Sequence, residues 1–149
     1  NTVNVASTIK ANGGNADKLA ITGFCWGGRI TWLYAARQPK LKAGVARYGR
    51  LVGNTTPQNP SHPLALVGSL KAPVLGLYGA ADTGIPLDTV DKMKAELAQG
   101  PAAAKASEFV VYPEAPHAFH ADYRPSYRKA AADDGWQRLL AWLKRNGVA

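Results

Sequence analysis

The chain has 149 residues, of which 46% are hydrophobic, with a formal net charge of +8 and one cysteine. This length is typical of one domain, and the apolar content is sufficient for a buried core. No apolar run approaches the roughly 20 residues of a membrane-spanning helix, so a membrane protein is not expected. One cysteine excludes an intramolecular disulfide and favours a reducing compartment, so we expect a cytoplasmic protein unless an export signal precedes Asn1.

The positive charge is concentrated in the central part of the chain, because no acidic residue occurs between Lys18 and Ala81. The basic residues of this stretch are Lys18, Arg29, Arg37, Lys40, Lys42, Arg47, Arg50 and Lys71. They are scattered over a predicted helix, a strand and a loop, and this distribution does not favour nucleic-acid binding. Steering of an anionic substrate, contact with an acidic surface and ordinary solvated charge all remain open interpretations.

Strands and helices are predicted to alternate along the chain. In order, the pattern predicts a helix over residues 2–11, a strand over 19–22, a helix over 27–37, a strand over 43–46, a strand over 73–78, a helix over 87–99, a strand over 108–112 and a helix over 126–146. Short apolar strands separated by helical patterns indicate a parallel sheet with helices on both faces. We therefore predict an α/β fold with about four parallel strands.

The segment over residues 50–70 is predicted to be irregular. It contains three prolines and two glycines, which disfavour both a regular strand and a helix. We expect it to run over the surface as a long excursion.

The most informative segment is the predicted strand-to-helix turn Gly23-Phe24-Cys25-Trp26-Gly27-Gly28. A G-x-C-x-G spacing lets the chain reverse sharply, with small residues two positions to either side of the cysteine. The thiol then lies at a helix N-terminus, whose partial positive charge stabilises a thiolate. The backbone N–H of Trp26 is a candidate donor to a developing oxyanion. The turn therefore predicts a nucleophilic hydrolase.

Taken alone, the turn does not decide between a reactive cysteine and two other interpretations. A cysteine is often buried and inert, and glycine-rich turns between a strand and a helix also bind nucleotides. Here Phe24 and Cys25 interrupt the G-x-G-x-x-G spacing of dinucleotide-binding proteins, and no Gly-Lys-Ser/Thr follows.

An acid and a base follow two later strands. Cys25, Asp82 and His117 come after the first, third and fourth predicted strands, so we expect them to meet at one edge of the sheet. The order nucleophile, acid, histidine is that of hydrolases built on such a sheet. Taken singly, Asp82 could cap a helix and His117 could be an ordinary loop histidine. The rival carboxylates and the rival base are Asp88, Asp91 and His120, and no spacing supports a metal site at the two histidines.

The sequence resembles the dienelactone hydrolases, also called carboxymethylenebutenolidases, which have the α/β-hydrolase fold. The resemblance is carried by Gly23 to Gly28, Tyr48-Gly49, Tyr78 to Pro86, Tyr112-Pro113 through His117-Ala118-Phe119 to Tyr127, Asp134-Gly135-Trp136 and Trp142-Leu143-Lys144. Cysteine instead of serine at the turn is characteristic of that family. By this resemblance, Cys25, Asp82 and His117 form a catalytic triad.

The resemblance implies hydrolysis of an enol-lactone, giving maleylacetate from dienelactone in the breakdown of aromatic compounds. It implies an acyl-enzyme on Cys25 and no metal or organic cofactor. A broader carboxylesterase or thioesterase is the alternative. The expected partner is a small anionic lactone or ester, with no nucleic acid and no membrane. The candidate substrate-binding residues are Phe24, Tyr48, Phe119, His120 and Arg124.

The resemblance also implies parts that residues 1–149 do not contain. Several strands precede the nucleophile in that family, so we expect the chain to be the C-terminal part of one domain, with an exposed sheet edge through which it associates. The second oxyanion donor, an acidic residue near the thiol and a cationic substrate contact would lie in the preceding part. As it stands, the chain would then be a noncatalytic half-domain that needs a complementary segment. The arginine expected four residues after His117 is replaced by Ala121, and Arg124 is the candidate substitute.

Overall fold

Within residues 3–149, the part of the chain that the computed structural model describes, four parallel strands form one sheet. They are β1 (Ala20–Phe24), β2 (Ala43–Arg47), β3 (Val74–Gly79) and β4 (Glu108–Tyr112), and their order in the sheet is their order along the chain. Every residue of β2 and β3 is buried, because both strands lie inside the sheet, whereas β1 and β4 form its edges. The predicted parallel α/β architecture is confirmed.

The helices are α1 (Val3–Ala11), α2 (Trp26–Ala35), α3 (Leu87–Gln99), α4 (Ala102–Lys105) and α5 (Lys129–Arg145). The first helix is predicted to begin at Thr2, which lies outside the described residues. None of the helices found in residues 3–149 is long and apolar enough to cross a membrane.

Helices α2 and α5 cover opposite faces of the sheet. Trp32 of α2 stacks on Phe109 with ring centroids 5.6 Å apart and donates a hydrogen bond to the Tyr78 hydroxyl over 3.2 Å. Gly135 of α5 lies against Leu77, to whose Cδ1 an added Cβ would be only 3.3 Å distant. Because Leu77 and Tyr78 are consecutive in β3, their side chains point to opposite faces. The molecule therefore has a helix–sheet–helix layering, as the strand pattern predicts.

The prediction that residues 50–70 form only irregular structure is wrong in part, because Pro63–Ser69 form a 3-10 helix. Pro63 stands in the first turn, where the N–H that proline lacks would have no partner within the helix. Burial of apolar side chains stabilises this helix, since Val67 is 3% exposed and Leu70, the residue that follows the helix, is 5% exposed. Proline content therefore marks the start of this helix rather than its absence.

The last helix begins at Lys129 and not at residue 126 as the sequence predicts. The N–H of Arg128 donates to the carbonyl of Phe119 over 2.9 Å, and the backbone of Arg128 is extended, with φ −129°. This hydrogen bond holds Arg128 in an extended conformation against the loop after β4, so the helix begins only at the next residue. The short helix α4 was not predicted, because four residues are too few to show a helical period.

The N-terminus of α2 packs unusually close to the end of β2. A Cβ on Gly28 would lie 2.4 Å from the carbonyl oxygen of Arg47, and one on Gly23 would lie 2.2 Å from the carbonyl oxygen of Gly27. The same Arg47 carbonyl accepts the N–H of Cys25 over 3.1 Å. The turn that carries the cysteine is therefore fixed against β2 by backbone contacts that only glycine permits.

We expect Gly28→Ala to lower the free energy of unfolding by about 2 kcal/mol, because overpacking against backbone costs about 1–3 kcal/mol. Gly27→Ala is the matched control, since an added Cβ there would meet no atom within 4 Å. Urea denaturation followed by circular dichroism measures both. Equal stability of the two variants would contradict the proposed role of the close approach.

Candidate active site

Cys25, His117 and Asp82 lie in one hydrogen-bonded chain at the carboxyl ends of the strands. Nε2 of His117 lies 3.2 Å from Sγ of Cys25, and Nδ1 of His117 lies 2.7 Å from Oδ2 of Asp82. The Asp82 side chain is almost fully buried, whereas that of His117 is 44% exposed. The sequence therefore identified three residues, distant along the chain, that the fold brings within hydrogen-bonding distance.

Each of the three is held by a different element. Cys25 occupies the single position between β1 and α2, and Asp82 follows β3, where its Oδ1 accepts the N–H of Gly84 over 2.9 Å. His117 follows β4 and packs against Tyr48 in a T-shaped arrangement, with ring centroids 5.2 Å apart. The Asp82 carboxylate and the Tyr48 ring thus hold the imidazole in place, with Nε2 directed at the thiol.

Backbone strain is concentrated around the thiol. Among the described residues other than glycine, only Cys25, Tyr48 and Ala118 have positive φ, at 51°, 37° and 60°. Such conformations cost on the order of 1–3 kcal/mol each and persist where the surrounding structure imposes them. All three residues line one cavity beside the thiol. The strained positions therefore mark this end of the sheet as a candidate functional site.

The thiol lies in a partly desolvated position between opposing charges. Burial raises the pKa of Cys25, the positive charge of Arg124 lowers it, and the negative charge of Asp82 raises it further. Burial, followed by the nearby thiolate charge, raises the pKa of Tyr48 to about 12, so this hydroxyl remains protonated at neutral pH. The environment favours the neutral thiol, and formation of the thiolate depends on a nearby proton acceptor.

Two cavities meet at Cys25. The larger has a volume of about 800 Å³ and is lined by Cys25 and His117 together with the start of the excursion after β2. The smaller has a volume of about 310 Å³ and lies between the end of β1 and the loop after β4. Tyr48 lines both. Together they give the thiol access to ligand on two sides.

Most of the predicted substrate-binding residues surround the smaller cavity. Its lining includes Phe24, Tyr48, His120 and Arg124. Phe119, by contrast, is fully buried, with its ring edge-on to both Tyr48 and Tyr112, so it supports the cavity wall without lining it. Ala121, at the position where the resemblance implies an arginine, also lines this cavity, as does Arg124 three residues later.

The structure also describes the predicted oxyanion donor, Trp26, and the alternative candidates for the catalytic acid and base. Trp26 is the first residue of α2, and its side chain lines the larger cavity. Asp88 and Asp91 form exposed ion pairs with lysines on α3. His120 packs against Phe24, with centroids 5.4 Å apart, and the imidazole that is hydrogen-bonded to the thiol is that of His117. Across the described part of the chain, no three His, Cys, Asp or Glu side chains converge as a potential metal site.

Two buried arginines were not identified as site residues from the sequence. Arg29, on α2, is 3% exposed and lines the larger cavity. Arg47, on β2, is fully buried under Phe24, with its Cζ 4.7 Å from the ring centroid, and donates to Thr22 Oγ1 over 2.8 Å. Its Nε and Nη2 have no partner among the described residues. The available signal was the central stretch free of acidic residues, which leaves these cations without local counter-charges.

A model of the dienelactone hydrolase family matches residues 2–147. The chain belongs to the dienelactone hydrolase family. It is 62% identical over 138 residues to a protein of Methylorubrum extorquens named "Putative carboxymethylenebutenolidase", and the match covers 91% of this chain and 46% of that protein. A protein of Salmonella typhimurium with the same name is 57% identical over 143 residues, covering 96% of this chain and 52% of its own length. The chain spans about half the length of the curated relatives it matches.

Solved structures agree with this family membership. The crystal structure described as a "Putative Dienelactone Hydrolase" of Klebsiella pneumoniae has a TM-score of 0.89 at 58% identity, over 94% of this chain and 57% of that one. An acylaminoacyl peptidase of Pyrococcus horikoshii has a TM-score of 0.73 at 14% identity, over 95% of this chain and 26% of that one, and shows the shared fold alone. The α/β-hydrolase fold of this dienelactone hydrolase family member is therefore established.

The opposing charges at the thiol generate a prediction about its reactivity. Arg124→Gln removes a cation that stabilises the thiolate, so at a given pH less thiolate forms and alkylation by iodoacetamide slows. In the native polypeptide that contains this sequence, mass spectrometry of the peptide that carries Cys25 reports this reaction. Lys105→Gln, which removes a cation on α4, is the control, and its alkylation rate is expected to depend on pH as in the unaltered protein. If the alkylation rate of Arg124→Gln also has this unchanged pH dependence, Arg124 does not influence the thiol electrostatically.

Proposed function

We propose that this dienelactone hydrolase family member cleaves a lactone or a carboxylic ester through a Cys25–His117–Asp82 triad. The observation that carries the proposal is the continuous chain from thiol to imidazole to buried carboxylate, with distances of 3.2 Å and 2.7 Å. A nucleophile bonded to a base that is itself oriented by an acid is the arrangement that acyl transfer requires.

In the proposed first step, Nε2 of His117 accepts the thiol proton as Sγ of Cys25 attacks the carbonyl carbon. Asp82 accepts the Nδ1–H hydrogen bond, holds the tautomer and stabilises the imidazolium that forms. The C–O bond then breaks, and the imidazolium returns the proton to the leaving oxygen. This leaves an acyl group on Cys25 and a neutral imidazole.

In the second step, His117 removes a proton from water as the water attacks the thioester carbonyl. The C–S bond then breaks and the imidazolium returns the proton to Sγ, so Cys25 leaves as the thiol and the acyl part as a carboxylic acid. The tetrahedral oxyanion of both steps is assigned to the Trp26 N–H, which belongs to the first turn of α2 and has no partner within that helix. A second donor is proposed to lie outside residues 1–149. All proposed steps use side chains, backbone groups and water alone.

The proposed substrate is a small anionic lactone or ester. Arg124 and Cys25 line the same cavity, which allows a carboxylate of the substrate to bind near the cation. Relatives named for carboxymethylenebutenolidase activity support a dienelactone, giving maleylacetate in the breakdown of aromatic compounds. A relative in Bradyrhizobium, 37% identical, is named "Probable 2-oxo-3-(5-oxofuran-2-ylidene)propanoate lactonase". A broader carboxylesterase or thioesterase is the alternative within the same mechanism.

A second proposal concerns the open edge of the sheet. Within residues 3–149, β1 pairs with β2 alone, and two of its side chains, Thr22 and Phe24, are exposed. Exposed strand edges are prone to pair with another chain. We propose that a complementary segment covers this edge in the functional protein and that residues 1–149 alone are a noncatalytic half-domain.

The test of the mechanism uses the native polypeptide that contains this sequence. We expect Cys25→Ala to reduce kcat/KM on both a dienelactone and an aryl acetate by about a thousandfold or more, since a triad acts as a unit. An acyl adduct trapped at low pH appears in the intact mass of the unaltered protein and is lost in this variant. Unchanged turnover would exclude Cys25 as the nucleophile.

His117→Gln and His120→Gln distinguish the two candidate bases. We expect a loss of about a hundredfold or more for His117→Gln, because general-base catalysis contributes roughly 10²–10⁴-fold. The loss for His120→Gln is expected to be at least tenfold smaller. Circular dichroism checks that both variants fold, and the reverse ranking would assign the base to His120.

A further inference from the structure

The larger cavity beside Cys25 holds a positive charge that the proposed mechanism does not use. Arg29 and Arg50 both line it. The carboxylate that also lines it, that of Asp82, is bound to His117. Throughout residues 3–149, no carboxylate lies within ion-pair distance of either arginine. Among the described residues, the positive charge of this cavity next to the thiol is therefore unbalanced.

Arg29 is buried, and the groups that hold it in place carry no negative charge. Its Nη2 donates to the carbonyl of Ser61 over 2.7 Å, and its Nε donates to Nδ1 of His62 over 3.5 Å. Nε2 of His62 in turn donates to the carbonyl oxygen of Asn54 over 2.9 Å. The guanidinium also lies over the Trp26 ring, with Cζ 4.7 Å from the centroid. None of these partners carries a negative charge.

A buried guanidinium without a counter-charge is costly, and arginine is rarely buried unless it is paired. A guanidinium at the wall of a cavity can instead pair with an anionic ligand, for which its planar set of donors is well suited. Arg50 adds a second cation to the wall, and Asn54 and Asn59 add amide or carbonyl groups. The cavity volume of about 800 Å³ lies within the 300–1,000 Å³ range of sites for small organic molecules.

The position of His117 indicates which part of a substrate enters this cavity. His117 lines the larger cavity and not the smaller one. In the proposed mechanism, Nε2 gives its proton to the leaving oxygen, so the leaving group must lie on the side of the imidazole. Arg124, which lines the smaller cavity, is then positioned to bind the acyl part of the substrate.

We propose that the larger cavity is a subsite for a leaving group that carries a carboxylate, bound by Arg50 and Arg29. The favoured substrate class is an ester of a hydroxy acid, in which the alcohol part is anionic. This inference rests on the proposed acyl transfer at Cys25, because it assigns the leaving-group side of that reaction.

The kinetic test compares phenyl esters that differ in whether, and on which part, they carry a carboxylate. Phenyl acetate, 4-carboxyphenyl acetate and monophenyl succinate carry no carboxylate, one on the leaving group and one on the acyl group, respectively. Rates are normalised to those of hydroxide-catalysed hydrolysis, which removes the intrinsic difference in reactivity. The native polypeptide is expected to prefer 4-carboxyphenyl acetate over phenyl acetate in kcat/KM.

Arg50→Gln is expected to reduce that preference by about tenfold or more, the effect of losing one charge-assisted hydrogen bond. Arg37→Gln is the matched control, since Arg37 is exposed just beyond α2 and lines neither cavity. We expect the preference for monophenyl succinate to respond to Arg124→Gln and not to Arg50→Gln. A leaving-group preference that is absent, or that survives in Arg50→Gln, overturns the subsite.

A binding experiment separates this inference from the proposed function. Calorimetry with the product 4-hydroxybenzoate and with phenol needs no turnover. Tighter binding of 4-hydroxybenzoate, weakened in Arg50→Gln but not in Arg37→Gln, supports the subsite even where no ester is hydrolysed. Equal binding of the two phenols overturns it, including where Cys25 is proved to be the nucleophile.

Discussion

The site depends on how closely the first turn of α2 approaches the end of β2. Gly28 and Gly49 meet backbone to backbone, since a Cβ on Gly49 would lie 2.3 Å from the carbonyl carbon of Gly28. The hydroxyl of Tyr78 donates to the Gly49 carbonyl over 2.8 Å and accepts from Trp32 of α2 over 3.2 Å, which fixes both partners to β3. This contact sets the position of Cys25, because Cys25 is the single residue between β1 and α2 and cannot shift independently of them. The positive φ of Cys25 is then imposed by the packing on either side.

The arginines show a second constraint, which is the shortage of negative charge around the thiol within residues 3–149. Arg29 and Arg47 are both buried, and in the described part of the chain neither has a carboxylate partner. Their surroundings differ, because Arg29 opens onto a cavity whereas Arg47 lies beneath Phe24 beside the open edge of the sheet. Burial and the charge of Arg47 also lower the pKa of His120, so that ring is biased toward its neutral form. The two arginines therefore place positive charge both beneath the site, at Arg47, and at the wall of the larger cavity, at Arg29.

The parallel sheet and the candidate triad could be predicted because they follow from rules that act along the chain. Apolar runs indicate strands, parallel strands end at a common edge, and Cys25, Asp82 and His117 each follow a strand end. Arg29 and His62 could not be predicted as partners, because their contact depends on the path of the excursion after β2. The 3-10 helix at Pro63–Ser69 was missed for a related reason, since it is stabilised by burial against the core and not by its local propensity.

The charges around the thiol also determine when its proton leaves. Burial, the largest influence on Cys25, raises its pKa and favours the thiol, while Arg124 acts in the opposite direction. An anionic substrate bound at Arg124 would neutralise that cation and bring further negative charge near the sulfur, so the thiolate would become less favourable when the substrate is present. Proton transfer to Nε2 of His117 would then accompany attack and not precede it. Under the proposed mechanism, this makes the buried carboxylate of Asp82 the group that sustains reactivity, because it stabilises the imidazolium at the moment when the surrounding cations no longer favour the thiolate.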